Sequence, residues 1–146
     1  KPYCEELAKA ITNEIRRGNR IDTTTKLRNV IEKTLDFLPN NKEKKDIIKK
    51  TCQRTFQALR IDVNNEFEVL YEFMEKLPGA LKPGGRVAIL TFHSGEDKLV
   101  KKALKAGYKE GIYSEYARDV VRPSAQECAQ NGRARSTKMR WAVKAE

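Results

Sequence analysis

The sequence predicts an α/β fold in which amphipathic helices pack against a short sheet. Residues 87–90 form a continuous apolar run that is long enough for a strand and too short for a buried helix. Segments on both sides of this run carry apolar residues at helical spacing. Residues 138–144 alternate apolar and basic side chains, which is typical of a half-exposed strand. A strand that is apolar on both faces belongs in a parallel sheet covered on both sides, so we expect residues 87–90 to be buried.

Four helical segments are predicted before this strand from their apolar stripes and their caps. The first has a narrow stripe and ends at Gly18, and the second takes its N-cap from residues 22–25. The third begins as a mostly charged, solvated stretch at residues 42–50. The fourth follows Asn65 and ends at Pro78, which leads into the turn before the strand.

A polar turn and a further helix are predicted after the strand. Ser94 stands at the N-cap position of this helix, and Asp97 follows three residues later at capping-box spacing. Gly107 closes the helix. Residues 108–118 show no clear pattern, whereas residues 120–121 suit a short strand. Because ligands of open α/β sheets bind beyond the strand ends, we expect the functional site at the polar turn.

The chain has 146 residues, with 30 Lys and Arg against 20 Asp and Glu, and a formal net charge of +10. This excess favours a polyanionic partner, nucleic acid before membrane, because neutralised phosphates release counterions. The alternative that the basic surface serves only solubility stays open. No apolar run approaches membrane-spanning length. Three widely spaced cysteines without a C-x-x-C pair argue for a reducing compartment and against a disulfide framework or a zinc site.

Two clusters are candidates for function. The polar turn at residues 92–97 contains the only histidine of the chain, His93. His93 serves either as a general base or substrate contact, or as a structural link between strand and helix. Residues 131–140 form a cationic cluster that either contacts backbone phosphates or is a solvated loop. Gly84-Gly85 precedes the strand instead of following it, which excludes a P-loop or a dinucleotide fingerprint.

Three segments closely resemble sequence blocks of the MraW family. They are TFQALRIDVNNE at residues 55–66, LKPGGRVAILTFHSGED at residues 81–97 and GRARSTKMR at residues 132–140. This family consists of bacterial methyltransferases that methylate cytosine N4 in small-subunit ribosomal RNA with S-adenosylmethionine (SAM). The resemblance covers nearly the whole chain in the same order. It departs from the family pattern at Gly95, where the family has leucine, and at Gly132, where it has proline.

The resemblance implies a partial Rossmann-like, SAM-dependent methyltransferase fold in which residues 86–92 form a central strand. Residues 120–121 and 138–144 would then form edge strands, the last one antiparallel. Residues 1–41 would be the end of the family's helical insertion, and residues 42–146 the C-terminal part of the methyltransferase domain. Half a sheet exposes apolar surface, so we expect the chain to self-associate or to bind a partner through it.

The family's glycine-rich SAM loop, its adjoining histidine and its ribose-binding acidic residue are found nowhere in this sequence. The resemblance is therefore to the C-terminal half of such an enzyme, and the lack of an initial methionine agrees. We expect this chain alone to contain no cofactor-binding residue and to be inactive, although the enzyme that it resembles uses SAM.

The resemblance also implies the partner and the site residues. The partner would be ribosomal RNA of the small subunit, in the cytoplasm, and no membrane or metal is expected. Either of the catalytic candidates, His93 or Asp97, would take the proton from the amine. The residues expected to bind RNA are Arg54, Gln57, Arg60, Asn64, Ser94, Arg133, Arg135, Ser136, Lys138 and Arg140. The alternatives are a non-catalytic RNA-binding module without a SAM site, or a fragment with no activity.

Overall fold

The computed structural model describes residues 2–146 and divides the chain into two compact units, Lys1–Asn64 and Asn65–Glu146. The described residues form six α-helices, one 3-10 helix and three strands, which confirms the predicted α/β class. The boundary between these units falls after residue 64, and the domain boundary expected after residue 41 stays a prediction. Within the described part of the chain, no helix is both long and apolar enough to cross a membrane.

The first unit consists of helices α1 (Cys4–Arg16), α2 (Thr24–Thr34) and α3 (Lys42–Asn64). Its buried core residues are Leu7, Leu27, Ile31 and Leu35. The side chains of α3 that pack against this core are Ile47, Ile48, Cys52 and Phe56. Because burial of one such side chain contributes roughly 1.5–3 kcal/mol, even the charged start of α3 is held in this unit. This packing explains the later boundary, and the assignment of residues 1–41 to a helical insertion stays a prediction.

The turn between α1 and α2 is defined by backbone hydrogen bonds. Gly18 has a φ of 81°, in the left-handed region that favours glycine. The Gly18 N–H donates to the Ile15 carbonyl at 3.0 Å and the Asn19 N–H donates to the Glu14 carbonyl at 2.9 Å, which is the Schellman pattern. The Oγ1 of Thr23 then accepts an N–H from the first turn of α2 at 3.1 Å. The end of α1 predicted at Gly18 and the N-cap of α2 predicted within residues 22–25 are confirmed.

The second unit contains three helices, a 3-10 helix and three strands. In chain order they are α4 (Glu66–Ala80), β1 (Arg86–Thr91), α5 (Ser94–Lys109), β2 (Tyr113–Tyr116), α6 (Ala125–Gln130), the 3-10 helix (Gly132–Ser136) and β3 (Lys138–Lys144). The strands predicted at residues 87–90 and 138–144 are confirmed. The strand predicted at residues 120–121 is wrong, because only one bridge forms there, between Val121 and Met139.

The three strands form an antiparallel sheet in the order β1-β3-β2. β3 pairs with β1 from Arg86 opposite Val143 to Thr91 opposite Lys138, and with β2 along its other side. The predicted antiparallel direction of β3 is confirmed, but its predicted edge position is wrong because both other strands pair with it. The resemblance implies that residues 86–92 form a central strand, and their apolar run indicates a parallel sheet. Among the described strands, however, β1 lies at an edge with an antiparallel partner.

The helices of the second unit cover one face of this sheet. Val87 and Ile89 pack into the core formed with α4 and α5. Leu90 lies on the opposite face and is 57% exposed, next to Ala88 and its half-buried partner Trp141. The expectation that residues 87–90 are buried on both faces is therefore wrong within the described residues. Self-association through this apolar face stays a prediction.

Gly107 of α5 packs directly against Tyr113 in the core of the second unit. Both residues are buried, and a Cβ added at Gly107 would lie 2.5 Å from the tyrosine ring. We expect Gly107→Ala to lower the free energy of unfolding by about 1–3 kcal/mol, because the buried ring or the helix must shift to accommodate the added methyl group. Urea denaturation followed by circular dichroism measures this change.

Gly79→Ala is the matched control, since Gly79 is also helical but has no atom within 4 Å of the added Cβ. There we expect a gain of roughly 0.5–1 kcal/mol from the higher helix propensity of alanine. If Gly107→Ala were as stable as Gly79→Ala, the close contact between α5 and Tyr113 would be refuted.

Candidate functional site

The polar turn after β1 is held by two reciprocal capping hydrogen bonds. His93 is the N-cap residue of α5, and its Nδ1 accepts from the Glu96 N–H at 3.3 Å. In return, Glu96 Oε2 accepts from the Phe92 N–H at 3.1 Å. The sequence assigns these roles to Ser94 and Asp97, and this assignment is wrong by one residue. The lone pair of Nδ1 replaces the usual hydroxyl acceptor, so Ser94 becomes the exposed first residue of the helix.

His93 also belongs to a partly buried polar cluster with Glu66 and Glu96, which we name the His93 cluster. Among the described residues, these three bring one nitrogen or oxygen atom each within 4.8 Å of one another. The His93 side chain is 12% exposed, and its Nε2 lies 3.3 Å from Glu96 Oε1 without hydrogen-bond geometry. The Phe67 ring packs edge-on against the imidazole with the centroids 5.7 Å apart. The cluster thus combines an imidazole with two carboxylates beneath an aromatic ring.

The hydrogen bond at Nδ1 determines the chemistry of the His93 cluster. Because Nδ1 accepts an N–H from Glu96, the neutral imidazole carries its own proton on Nε2. A metal ion at Nε2 would have to displace this proton, and metal-binding histidines normally donate through their second nitrogen. The cluster therefore offers one N–H donor and carboxylate acceptors. This combination suits hydrogen bonding and proton transfer better than metal binding.

Asp97 and Arg140 form a buried ion pair between α5 and β3. Arg140 Nε donates to Asp97 Oδ1 at 2.6 Å, and Arg140 Nη2 donates to Asp97 Oδ2 at 3.2 Å. The residues are 9% and 5% exposed. Hydrogen bonding by Arg140 holds the pKa of the Asp97 carboxyl below its ordinary value, although burial acts to raise it. The pair fixes the first turn of α5 to the central strand of the sheet.

This ion pair bears on the roles expected for both residues. A carboxylate with a lowered pKa and two hydrogen bonds to a guanidinium is a weak proton acceptor, which argues against Asp97 as the base. The guanidinium of Arg140 is buried and already paired, which argues against a phosphate contact. We therefore assign both side chains to holding the polar turn.

The C-terminal cationic residues lie on an ordered turn. Asn131 Oδ1 accepts from the Arg133 N–H at 3.1 Å and caps the 3-10 helix, whose Ala134 is buried. Arg122 Nη2 donates to the Arg135 carbonyl at 2.8 Å. The sequence signal for this turn was Asn131, a good capping residue, whereas our interpretation of the segment considered its charges alone. The exposed or half-buried side chains here are those of Arg133, Arg135, Ser136 and Lys138.

The remaining residues expected to bind RNA lie on α3 in the first unit. Arg54, Gln57 and Arg60 line one groove together with Phe56. Asn64 is the exposed last residue of the helix. The structure thus brings three of these four side chains together on one surface. In the second unit, the structure brings Asp97 together with Arg140. It also places Glu66 and Glu96 among the candidate site residues. The sequence analysis missed these two glutamates because nothing distinguished them from other surface acids.

The glycines near β1 are used for packing and pairing. A Cβ at Gly95 would lie 2.8 Å from the Phe67 ring, so a larger residue at this position would require the ring to shift. Gly84 and Gly85 exchange hydrogen bonds of 3.0 and 2.8 Å with the backbone of Lys144 and so extend the sheet. These three glycines therefore do not form a glycine-rich cradle for a nucleoside cofactor, and the absence of cofactor-binding residues from this chain stays a prediction.

Comparison with known proteins gives one consistent family. The sequence profile of the MraW methylase family matches residues 1–145. The chain is 88% identical over 146 residues to Ribosomal RNA small subunit methyltransferase H 1 of Agathobacter rectalis, covering 100% of this chain and 42% of that protein. It is 70% identical over 145 residues to the protein of the same name from Lachnoclostridium phytofermentans, covering 99% and 39%. The chain thus spans about two fifths of the length of these relatives.

The ion pair gives a prediction for stability and its pH dependence. We expect Asp97→Asn to lower the free energy of unfolding by about 3–5 kcal/mol near neutral pH, because a buried guanidinium loses its charge partner. The folded-state pKa of Asp97 is lowered, so the stabilisation is complete above the ordinary pKa of the carboxyl and disappears as pH falls through the lowered value. Urea denaturation as a function of pH should therefore show the wild type approaching the variant in acid.

Asp119→Asn provides the control, since Asp119 is an exposed carboxylate in the same unit. We expect this substitution to change the free energy of unfolding by at most about 0.5 kcal/mol. Equal stability of the two variants near neutral pH would mean that the ion pair does not hold the turn.

Proposed function

The chain belongs to the MraW methylase family, and from this premise we propose that it forms part of an enzyme that methylates cytosine N4 in small-subunit ribosomal RNA. The observation that carries the proposal is the position of the His93 cluster at the carboxyl end of β1, where ligands of α/β sheets bind. The described residues would form the RNA-facing part of this enzyme. The methyl donor would be SAM, held by residues of the enzyme outside this chain.

The proposed enzyme has a Rossmann-like sheet, of which β1, β3 and β2 form one side. Two features support this proposal. Among the described strands, β1 has a partner along one edge only, so its other edge can take a further strand. The uncovered face of the sheet carries Leu90, Trp141 and Ala88, an apolar surface that further helices can bury.

Methyl transfer to the amine would form an N–C bond while the S–C bond of the sulfonium donor breaks and the thioether leaves. The nitrogen would then lose one proton, so the chemistry requires a proton acceptor. Glu96 meets this need best, since its side chain is 21% exposed and lies beside His93 Nε2. We therefore transfer the role of proton acceptor from His93 or Asp97 to Glu96. Because cytosine presents its N4 amine as a donor, the partly exposed carboxylate of Glu96 can accept from it. Correct placement of the weakly nucleophilic amine would supply most of the catalysis.

Binding of the RNA itself would rest on exposed polar and cationic side chains in both units. Backbone phosphates are commonly bound by arginine, lysine, serine and amide side chains, and such contacts need no defined base sequence. Arg140 is excluded because it is buried in its ion pair. The residues proposed for RNA binding are Arg54, Gln57, Arg60, Asn64, Ser94, Arg133, Arg135, Ser136 and Lys138.

A non-catalytic RNA-binding module is the second candidate, favoured by the lack of a cofactor cradle in the described residues. Binding measurements on the isolated chain test what both candidates share. We expect calorimetry to detect no SAM binding, and fluorescence anisotropy to detect RNA binding that weakens as salt rises, because counterions are released. Stoichiometric SAM binding would refute our statement that these residues lack a cofactor site. RNA affinity independent of salt would refute both candidates.

Only the first candidate predicts catalysis, so a test of methyl transfer by a chimera distinguishes the two. In this chimera the chain replaces the matching 42% of the Agathobacter rectalis relative. We expect methyl transfer to small-subunit ribosomal RNA, and we expect Glu96→Gln to reduce its rate by about 10²–10⁴-fold, because the amide cannot take the proton. Glutamine still accepts the Phe92 N–H, so the thermal unfolding of the chimera should not change.

Glu127→Gln is a matched control for this experiment. Glu127 occupies the same position in α6, three residues after the N-cap Ser124, but is exposed and lies outside the His93 cluster. This control should retain full activity. An inactive chimera would favour the non-catalytic module, whereas an active chimera that tolerates Glu96→Gln would remove Glu96 from the reaction.

A further inference from the structure

A cleft with several cationic side chains lies in the first unit, and none of the residues that the sequence analysis assigned to RNA lines it. It is formed by the end of α1, the Schellman turn and one side of α2, and it has a volume of about 860 Å³. Its lining includes four cations, Arg17, Arg20, Lys26 and Lys33, and a single acid, Glu14.

The ion pairs within the cleft leave two of its cations unneutralised. Glu14 accepts a hydrogen bond from Asn19 Nδ2 at 2.8 Å and lies 3.9 Å from the Arg17 guanidinium. Lys26 Nζ pairs with Asp22 at 2.6 Å. These contacts occupy the only acid of the lining and one of its lysines.

Arg20 and Lys33 differ from these cations. Both are exposed, and neither forms an ion pair or a side-chain hydrogen bond within residues 2–146. Lysine and arginine side chains that form no ion pair attract anions more strongly than those already neutralised by a carboxylate. The cleft is therefore a site of local positive charge with two free donors.

The fold holds these two donors in place from different elements. The Schellman turn at Gly18 reverses the chain directly before Arg20, and Lys33 projects from the last turn of α2. The side-chain cap at Thr23 fixes the start of α2. The arrangement is thus set by backbone hydrogen bonds on both sides of the cleft.

The chemistry of the lining identifies the class of ligand. Besides its cations, the cleft presents the amides of Asn13, Asn19 and Asn29, and it contains no aromatic side chain. Cations and amides bind phosphate oxygens, whereas recognition of unpaired bases relies on aromatic stacking. We propose that this cleft binds the phosphate backbone of the RNA substrate without reading its sequence. This inference rests on the proposed function and adds a second RNA-binding surface to it.

The test compares two double variants of the full chain that lose the same charge. Arg20→Ala/Lys33→Ala removes the free cations of the cleft. Lys9→Ala/Lys45→Ala is the control, because both lysines are exposed in the first unit but lie outside the cleft. RNA affinity is measured by fluorescence anisotropy over a series of salt concentrations, with a single-stranded fragment of small-subunit ribosomal RNA and a scrambled RNA of equal length. Circular dichroism confirms that each variant is folded.

We expect the cleft variant to bind at least about tenfold more weakly than the control at low salt. The slope of log affinity against log salt should fall by about 1.4, as predicted for the loss of two phosphate contacts on a single strand. Both RNAs should show the same loss. If the two double variants bind RNA equally well, the cleft does not bind RNA. The proposed function would be unaffected by this result, provided that the wild type binds RNA. A loss seen with only one RNA would overturn backbone recognition, and failure of the wild type to bind either RNA would refute RNA binding by this chain altogether.

Discussion

The ion pair between Asp97 and Arg140 joins two segments that lie 43 residues apart, and the geometry of the polar turn depends on it. Arg140 belongs to β3, the strand with which both other strands pair, and Asp97 belongs to the first turn of α5. Replacing a buried pair by apolar residues often costs little stability, whereas removing one partner costs much more. The main contribution of this pair is therefore to position α5, because the pair sets where the helix begins relative to the sheet. His93 and Glu96 take their positions from that helix start.

The sequence was most informative where local rules decide the structure. Gly18 and the cap before α2 follow from glycine and side-chain capping preferences, and the alternation at residues 138–144 identifies a strand. It also located the polar turn that carries His93. The cap itself was misassigned because an imidazole nitrogen is a rare substitute for a serine oxygen. The partner of Asp97 and the central position of β3 depend on contacts between distant segments, which local patterns do not encode.

Charge is spread over both units rather than concentrated at one catalytic surface. The first unit presents the α3 groove and the cleft near Gly18, and the second presents the turn at residues 131–136. Each surface offers only a few cations, so none alone would bind RNA tightly at physiological salt. Several weak contacts along one RNA strand would act together through effective concentration. In the proposed function, an RNA bound in this way would be recognised by its extended shape, and only the target base would need a specific site.

The position of β3 has a consequence for the order of folding during synthesis. β1 and β2 both leave the ribosome before β3, and each pairs only with β3 among the described strands. Proteins are synthesised at about 5–20 residues per second, so β1 (residues 86–91) is complete a few seconds before β3 has been synthesised. During that interval α5 can form locally, but Arg140 has not yet been synthesised and cannot pair with Asp97. The nascent chain therefore passes through a stage in which β1 lacks β3 as its partner and Asp97 lacks its guanidinium.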